Sequence, residues 1–445
     1  MMRYTELAEF VARQIEAGEL APGTRLPTHR NFAEEHGVAL ATATRAYNEL
    51  KRRGLILGEA GRGMFVRDPA LPQTLGLEQH GSDGLIDLVF NIPGGQNDSE
   101  VLRAGLKRLA ASGDLASMLR YQPHGGRPHE RKIIASHLSS VHGPVDPDNL
   151  FITSGGQHGL TIAAMGLLQK GDAVGTDPAT YPGFKSISAL QGLSLFAVQG
   201  DEGVMDPDDL DRQCCKKQLK AIYVMPTVHN PFGTVMGEDA RRRIADVAER
   251  HDLIIIEDSA YAFLETSPPP SFVDLAPDRT VHVGSFSKCV ATGLRIGYLI
   301  FPDRWKSAAS RVIRATTWNT PALISALVTH WIEDGTVAEF EAARRRLGAA
   351  GQKLCQEILA GIPMAAHENA SFTWLPLAKG ERAEPVIARL SGKGIAVSSA
   401  APYAVGDAAP QAMRLAFGGI SEQELRFSLE KVRDELAPCD CRTSP

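Results

Sequence analysis

The chain opens with apolar positions at helical spacing. Leu7, Phe10, Val11 and Ile15 recur every three or four residues and stop at EAGELAPG, a Gly/Pro break, which predicts a first helix. LPTHRNFAEEHG offers Thr28 as the N-cap of a short second helix that ends at Gly37. A third helix starts near Ala39, lines Ala43, Tyr47 and Leu50 on one face, and stops at Gly54. Two short apolar strands then flank the glycine-rich tip of LILGEAGRGMFVRD, the pattern of a β-hairpin. Residues 69–86 carry prolines and glycines without a period and read as a linker, spanning roughly 23 Å as a flexible coil.

From Asp87 the pattern changes to alternating strands and helices. DNLFITSGG precedes LTIAAMGLLQ, LKAIYVMPT precedes DARRRIADVAER, and DLIIIEDSA and TVHVGSFSK follow. Continuous Ile/Val runs between helices predict a mostly parallel sheet covered on both faces. After Thr320 a long charged helix, Glu333 to Leu359, precedes the scattered strands SFTWLPL and MRLAFGG. A last helix opens on the capping box Ser421–Glu424, so the end of the chain reads as a smaller α+β domain. The expected fold class is therefore α/β, with an N-terminal helical and hairpin unit (1–68), a linker (69–86), a large domain (87–320) and a small C-terminal domain (321–445).

Composition alters this picture little. No run approaches the eighteen or so apolar residues of a membrane span, and MMRYTELAEF holds no signal-peptide core, so a cytoplasmic protein without a membrane partner is expected. None of the 6 cysteines forms a C-x-x-C pair, which leaves reduced thiols and no metal site as the expectation. Charge matters more. The net value of −5 argues against nucleic acid, yet residues 44–67 hold six Lys/Arg against two Asp/Glu, a local +4. Screening over about 8 Å lets such a patch act on its own.

In an open parallel sheet, ligands bind beyond the carboxyl ends of the strands, and polar residues crowd those ends. LFIT runs into SGGQHG, where Gly155, Gly156 and Gln157 open a helix whose N–H groups suit a phosphate. LIIIE is followed by Asp258, with Tyr261 three residues on, and IYVM by PTVHNPFG, which carries Asn230. VHV runs into GSFSK, which brings Ser285 and Lys288 to the same rim, with Arg295 seven positions later. Taken singly, Lys288 is a surface lysine and Asp258 a helix cap; together they describe one crevice. Pyridoxal phosphate fits each group in it. Its aldehyde takes the Lys288 amine, its ring nitrogen needs the Asp258 anion, and its phosphate suits Ser285, Arg295 and the Gly155–Gln157 turn.

These motifs, with DPATYPGF, EDSAY, GLRIG and MRLAF in the same order, resemble a fold-type I aminotransferase of the aspartate-aminotransferase class over residues 87–445. The resemblance implies that Gly156 and Gln157 bind phosphate and that Tyr181 stacks on the pyridine ring. It implies that Asn230 and Tyr261 bond the ring oxygen and that Arg414 clamps an amino-acid carboxylate. It also implies a homodimer in which Tyr121 reaches the other subunit's phosphate, and a cis Asn230–Pro231 bond.

The first 68 residues suit helix–turn–helix chemistry. Ala41, Arg45 and Asn48 lie opposite the buried face of the third helix, flanked by Thr42 and Thr44, where a recognition helix meets the major groove. Lys51, Arg52 and Arg53 read either as backbone contacts or as a solvated helix end, and Arg62 at the hairpin tip suits a minor groove as a wing. The stretch resembles the winged helix of GntR-family regulators, and the whole chain resembles the MocR subfamily, in which that unit is fused to an aminotransferase-like domain. By that resemblance Arg30 joins Thr42, Thr44 and Arg45 as DNA contacts, while Ala39-Leu40 departs from the polar or basic pair of many relatives. The function implied is a regulator that senses an amino acid or amine through external aldimine formation, with slow transamination permitted. The alternative is a working aminotransferase whose DNA-binding domain is dispensable, because Lys288, Asp258 and Arg414 are all retained. A third reading makes pyridoxal phosphate itself the effector. The carboxylate clamp at Arg414 speaks against it.

Overall fold

The computed structural model describes residues 3–59, 63–67, 84–95, 98–111, 115–139, 143–201, 203–406 and 408–437. Three helices, Tyr4–Glu16, His29–Glu35 and Leu40–Arg52, pack against the antiparallel strands Ile56–Glu59 and Gly63–Val66, which is a winged helix. Thr28 caps the second helix by accepting from the Asn31 N–H at 3.2 Å. The third helix buries Ala43, Ala46, Tyr47 and Leu50, and the Tyr47 hydroxyl donates to Pro27 O at 2.9 Å, satisfying the one polar atom of that core. The first helix differs from its expected face. It buries Leu7, Ala8, Val11 and Ala12, while Phe10 stays exposed beside the His36 ring. Small alanines let it approach the third helix closely, and a phenyl ring in that seam would hold the two apart.

The large domain is built on a seven-stranded sheet. Across it lie Leu150–Thr153, Gly297–Ile300, Thr280–Ser285, Ile254–Asp258, Ala221–Val224, Ala173–Thr176 and Ser194–Ala197. Only Gly297–Ile300 runs against its neighbours; the other pairings are parallel. Strands covered on both faces are mostly apolar, as the Ile/Val runs predict, with the buried pair Glu257–His282 inside two of them. The parallel direction carries Thr153, Val224, Asp258 and Ser285 to one edge, and the register Ser285–Gly297–Thr153 brings Arg295 to that edge as well.

The small domain pairs Phe372–Pro376, Ala412–Ala416, Ile395–Ser399 and Ile86–Leu88, in that order. The last strand lies across the expected 86/87 boundary. It runs parallel to Ile395–Ser399 and buries Leu88 in the small-domain core, so the chain visits the small domain before entering the large one. Its partner lies some three hundred residues on, which no local pattern reveals. The long charged helix expected from Glu333 to Leu359 is Thr336–Ile358, and a separate helix, Ala322–Glu333, precedes it across Gly335 with φ of 84°.

One buried cation fixes the loop that carries Asn230. Arg241, fully buried on the helix Glu238–Arg250, donates to the carbonyls of Pro226, Met236, Pro269 and Pro270 and to Thr227 Oγ1, all within 2.8–3.1 Å. We expect Arg241→Met to strand these acceptors and to cost about 3 kcal/mol or more, read as a lowered thermal midpoint. Arg241→Lys should recover little of it, since an ammonium has no planar fork of five donors.

Candidate functional site

At the shared strand edge lies a cavity of ≈ 360 Å³. Gly156, Gln157, Tyr181, Asn230, Asp258, Tyr261, Ser285, Lys288, Arg295 and Arg414 all line it, so ten of the expected residues, drawn from chain positions far apart, meet there. Gly155 stands just behind, as the N-cap of the helix Gly156–Leu167. Its φ is +86°, and a Cβ there would sit 2.8 Å from an Arg295 nitrogen, so glycine is required by both backbone and space. Tyr121 is the exception. It is 86% exposed, its ring 5.6 Å from Trp318, outside this chain's own cavity.

One end of the cavity is an anion cradle. The helix N-terminus at Gly156 faces Ser285, whose hydroxyl accepts from the Ser287 N–H at 3.1 Å. Arg295 reaches Ser287 Oγ at 3.4 Å, and Gln157 Nε2 donates to Gly183 O at 2.9 Å, which leaves Gln157 Oε1 without a partner. At another wall Asp258 accepts from the Tyr223 hydroxyl at 2.7 Å and from the Ala260 N–H at 3.0 Å. Burial raises the Asp258 pKa; those two bonds and the charges of His282 and Lys288 act against it. Lys288 Nζ donates to Asn91 O at 2.9 Å and lies 5.9 Å from the centre of the Tyr261 ring. Burial pushes the Tyr261 phenol up, but the charges of Lys288 and Arg414 and a hydrogen bond from Asn91 outweigh it and leave the group below its ordinary value.

Arg414 closes the far side. It is 2% exposed, over the Phe372 ring at 4.6 Å, and donates one long bond of 3.3 Å to Val89 O. Its Nε has no partner, and neither has Asn230 Oδ1. The Asn230–Pro231 peptide is cis, as expected.

On the winged helix, Arg45 is exposed and Arg30 makes only an open ion pair with Glu34 at 3.5 Å. Thr42 is half-buried, and the Thr44 hydroxyl is engaged with Leu40 O at 2.9 Å and near His29 at 3.4 Å. Arg52 and Arg53 are tied to Glu49, and Arg53 also to Glu9, all within 2.7–2.8 Å. Those two arginines of the charge run therefore serve the domain itself. Arg62 falls outside the described residues.

Residues 84–432 match the family model of aminotransferase class I and II, and residues 3–66 match that of bacterial regulatory proteins, gntR family. The chain belongs to the aminotransferase class I and II family, in the MocR arrangement. It is 27% identical to the HTH-type transcriptional regulator YdeF of Bacillus subtilis, over 92% of this chain and 88% of that one. It is 26% identical to the HTH-type pyridoxine biosynthesis transcriptional regulator PdxR of Corynebacterium glutamicum, over 97% and 96%. The solved kynurenine aminotransferase of Pyrococcus horikoshii shares the fold with a TM-score of 0.73, at 23% identity, over 79% of this chain and 91% of that one.

The family fold implies pyridoxal phosphate, and this MocR-type cavity fits it. The donor set is an anion cradle, an amine and a buried carboxylate. Several buried polar atoms there (Arg414 Nε, Asn230 Oδ1 and Gln157 Oε1) lack partners within the protein. Sequence reasoning missed Tyr223, Asn91 and Tyr403. Tyr223 sits inside the apolar run IYVM and looks like core; Asn91 belongs to a segment 197 residues from Lys288. Tyr403 lines the cavity from a loop with no motif.

Because the folded Asp258 pKa is raised above its unfolded value, the group favours folding below the unfolded pKa and opposes it as pH rises through the folded one. Asp258→Asn, without cofactor, should then be at least as stable as the parent at pH ~7, with the gap closing towards pH ~4. Urea unfolding at the two pH values checks this, and a clear loss of stability in the variant at neutral pH would contradict it.

Proposed function

We propose that this chain is a transcription regulator that binds double-stranded DNA through its winged helix and senses an amino acid or amine in a cavity charged with pyridoxal phosphate. The observation that carries this reading is the pairing of a winged helix with a cavity that keeps both an amine and a buried guanidinium whose Nε has no partner. A chain used only for catalysis has no use for the first, and a scaffold without a ligand would not sustain the second.

When bound, the cofactor supplies an aldehyde that condenses reversibly with primary amines. In this reading Gly156, Gln157, Ser285 and Arg295 hold the phosphate, Tyr181 packs on the ring, and Asn230 and Tyr261 bond the ring oxygen. Asp258, aligned by Tyr223, stays ionised opposite a protonated ring nitrogen, which supplies the counter-charge its burial lacks. Asn91 O holds the Lys288 amine in place. Arg414 takes the effector's carboxylate through the donor that the protein leaves free, which favours an amino acid over the cofactor alone as effector.

On the DNA side, Arg30, Thr42, Thr44 and Arg45 are assigned to the duplex, with Arg45 exposed on the recognition helix. A homodimer belongs to the same proposal. Leu119 is 91% exposed, and Tyr121, 86% exposed, meets the half-exposed Trp318; an apolar face of that kind suits a second copy whose phosphate Tyr121 would reach. Retention of Lys288 and Asp258 permits a slow transamination half-reaction beside the regulatory role.

The test is binding to the duplex upstream of the chain's own gene, at fixed salt, with pyridoxal phosphate and a panel of amino acids. One amino acid should shift affinity or footprint. Binding no tighter than to random DNA, beside rapid multiple turnover with an amino acid and a keto acid, would instead establish the enzyme reading. Lys288→Ala should abolish the visible cofactor band near ~420 nm. Arg414→Ala should keep that band and weaken the response to the amino acid by about 10- to 100-fold, the worth of one or two charge-assisted bonds.

A further inference from the structure

Among the described residues the winged helix meets the rest of the chain at two places. One is a polar patch in which Arg382 lies over the Phe65 ring at 4.1 Å and donates to Gly23 O at 3.3 Å, with Arg67 3.7 Å from Glu384. None of these residues lines the cavity. The other is one loop, of which residues 400–406 and 408–411 are described. On its outer side the Ala409 N–H donates to Gly58 O at 3.2 Å, Lys51 Nζ reaches Gly406 O at 3.4 Å, and Leu57 packs with Ala401 and Ala409. Gly58 and Leu57 belong to the wing, and Lys51 ends the helix that carries Arg45.

The inner side of the same loop is part of the cavity. Tyr403 is fully buried and lines it, with its ring 5.8 Å from the Arg414 guanidinium. Its hydroxyl lies by Ser398 and Arg414 without a hydrogen bond of normal geometry. The backbone beside it is tied to the segment before Tyr181: Thr180 N–H donates to Tyr403 O at 2.9 Å, and Val405 N–H to Pro178 O at 2.8 Å. Lys185 completes the clamp. One helical turn beyond Tyr181, its ammonium donates to Pro402 O at 2.7 Å, Ala404 O at 2.6 Å and Ala401 O at 3.5 Å. Burial first, and the Lys51 charge second, bring that group down to about 8, so the clamp holds its charge where charge is costly.

Lys185 thus ties the carbonyls of Ala401, Pro402 and Ala404 to the helix that follows Tyr181. We propose that the loop Ala400–Gln411, with Lys185 as its positioning residue, is the link through which filling of the cavity at Tyr403 and Arg414 shifts the winged helix. The link rests on the sensing function above. It also requires that the filled cavity favour one loop position over the other, which in coupled systems corresponds to about 5- to 100-fold in the affinity of the second ligand.

The test reads amide hydrogen exchange of the full chain in three states: without addition, with pyridoxal phosphate, and with pyridoxal phosphate plus each of the twenty amino acids. DNA affinity is measured in parallel. Exchange at residues 400–411 and 56–59 should change in every state that moves DNA affinity by more than about threefold. Lys185→Met and Leu57→Ala, neither of which lines the cavity, should keep the visible absorption of the bound cofactor and reduce the affinity shift to less than about twofold. A shift that persists at wild-type size in both variants overturns the link alone. So does a shift in the unmodified protein with unchanged exchange at 400–411, a measurement that does not depend on either variant folding. Affinity that no addition moves would overturn the sensing function, and the link would fall with it.

Discussion

A parallel strand can be followed by another only through a crossover, so every strand of such a sheet ends at the same edge. That constraint governs this molecule. Thr153, Val224, Asp258 and Ser285 finish neighbouring strands, and the turns that follow them hold Gly156, Asn230, Tyr261 and Lys288. The strands themselves are mostly apolar because both faces are covered, so polar side chains gather at the edge, apart from the buried Glu257–His282 pair. The single reversed strand, Gly297–Ile300, serves the same end: it starts where its neighbours stop and delivers Arg295 beside the helix N-terminus at Gly156. The small domain then covers the crevice with Arg414 and Tyr403.

Charge enclosed in this way has to be balanced. Asp258 is held by a phenol and one backbone N–H, Lys288 by one carbonyl, and Arg414 by one long bond. Elsewhere in the chain buried charge is better served. Arg241 reaches five acceptors, and Arg344 reaches Asp98 and the carbonyls of Cys289 and Val290. Arg241 and Arg344 spend their donors within the fold, whereas Arg414, at the cavity wall, keeps its Nε back.

The winged helix has its own core and shares little with the rest. Leu57, Ala401 and Ala409 form the one small apolar contact described between the units, and the remaining contacts are polar. Contacts of that size suit domains that change position, in the way that modest interfaces within a chain generally do. A large apolar seam would lock the two units together; a few hydrogen bonds around one loop do not.

Sequence by itself determined the elements and most of the site. Periodicity separates the helical start from the sheet, and the turns SGGQHG, PTVHNPFG, EDSAY and GSFSK mark the strand ends because glycine, proline and polar residues must follow an apolar run there. Eight residues named on that basis meet in one cavity, together with Tyr181 and Arg414, which the family resemblance supplied. Tertiary structure alone decided the rest, and each case involves a partner distant in the chain. Ile86–Leu88 becomes a strand only because Ile395–Ser399 offers it an edge. Tyr223 reads as core until Asp258 is placed beside it, and Asn91 reads as loop until Lys288 is. Phe10 leaves the face its spacing predicts because alanines pack that helix more closely. Lys185 resembles any lysine on an amphipathic helix, and only the carbonyls of a loop more than two hundred residues away make it a clamp. Local pattern fixes what a residue can do within a few turns of chain, whereas which charges and hydrogen bonds it must satisfy depends on what the fold sets against it.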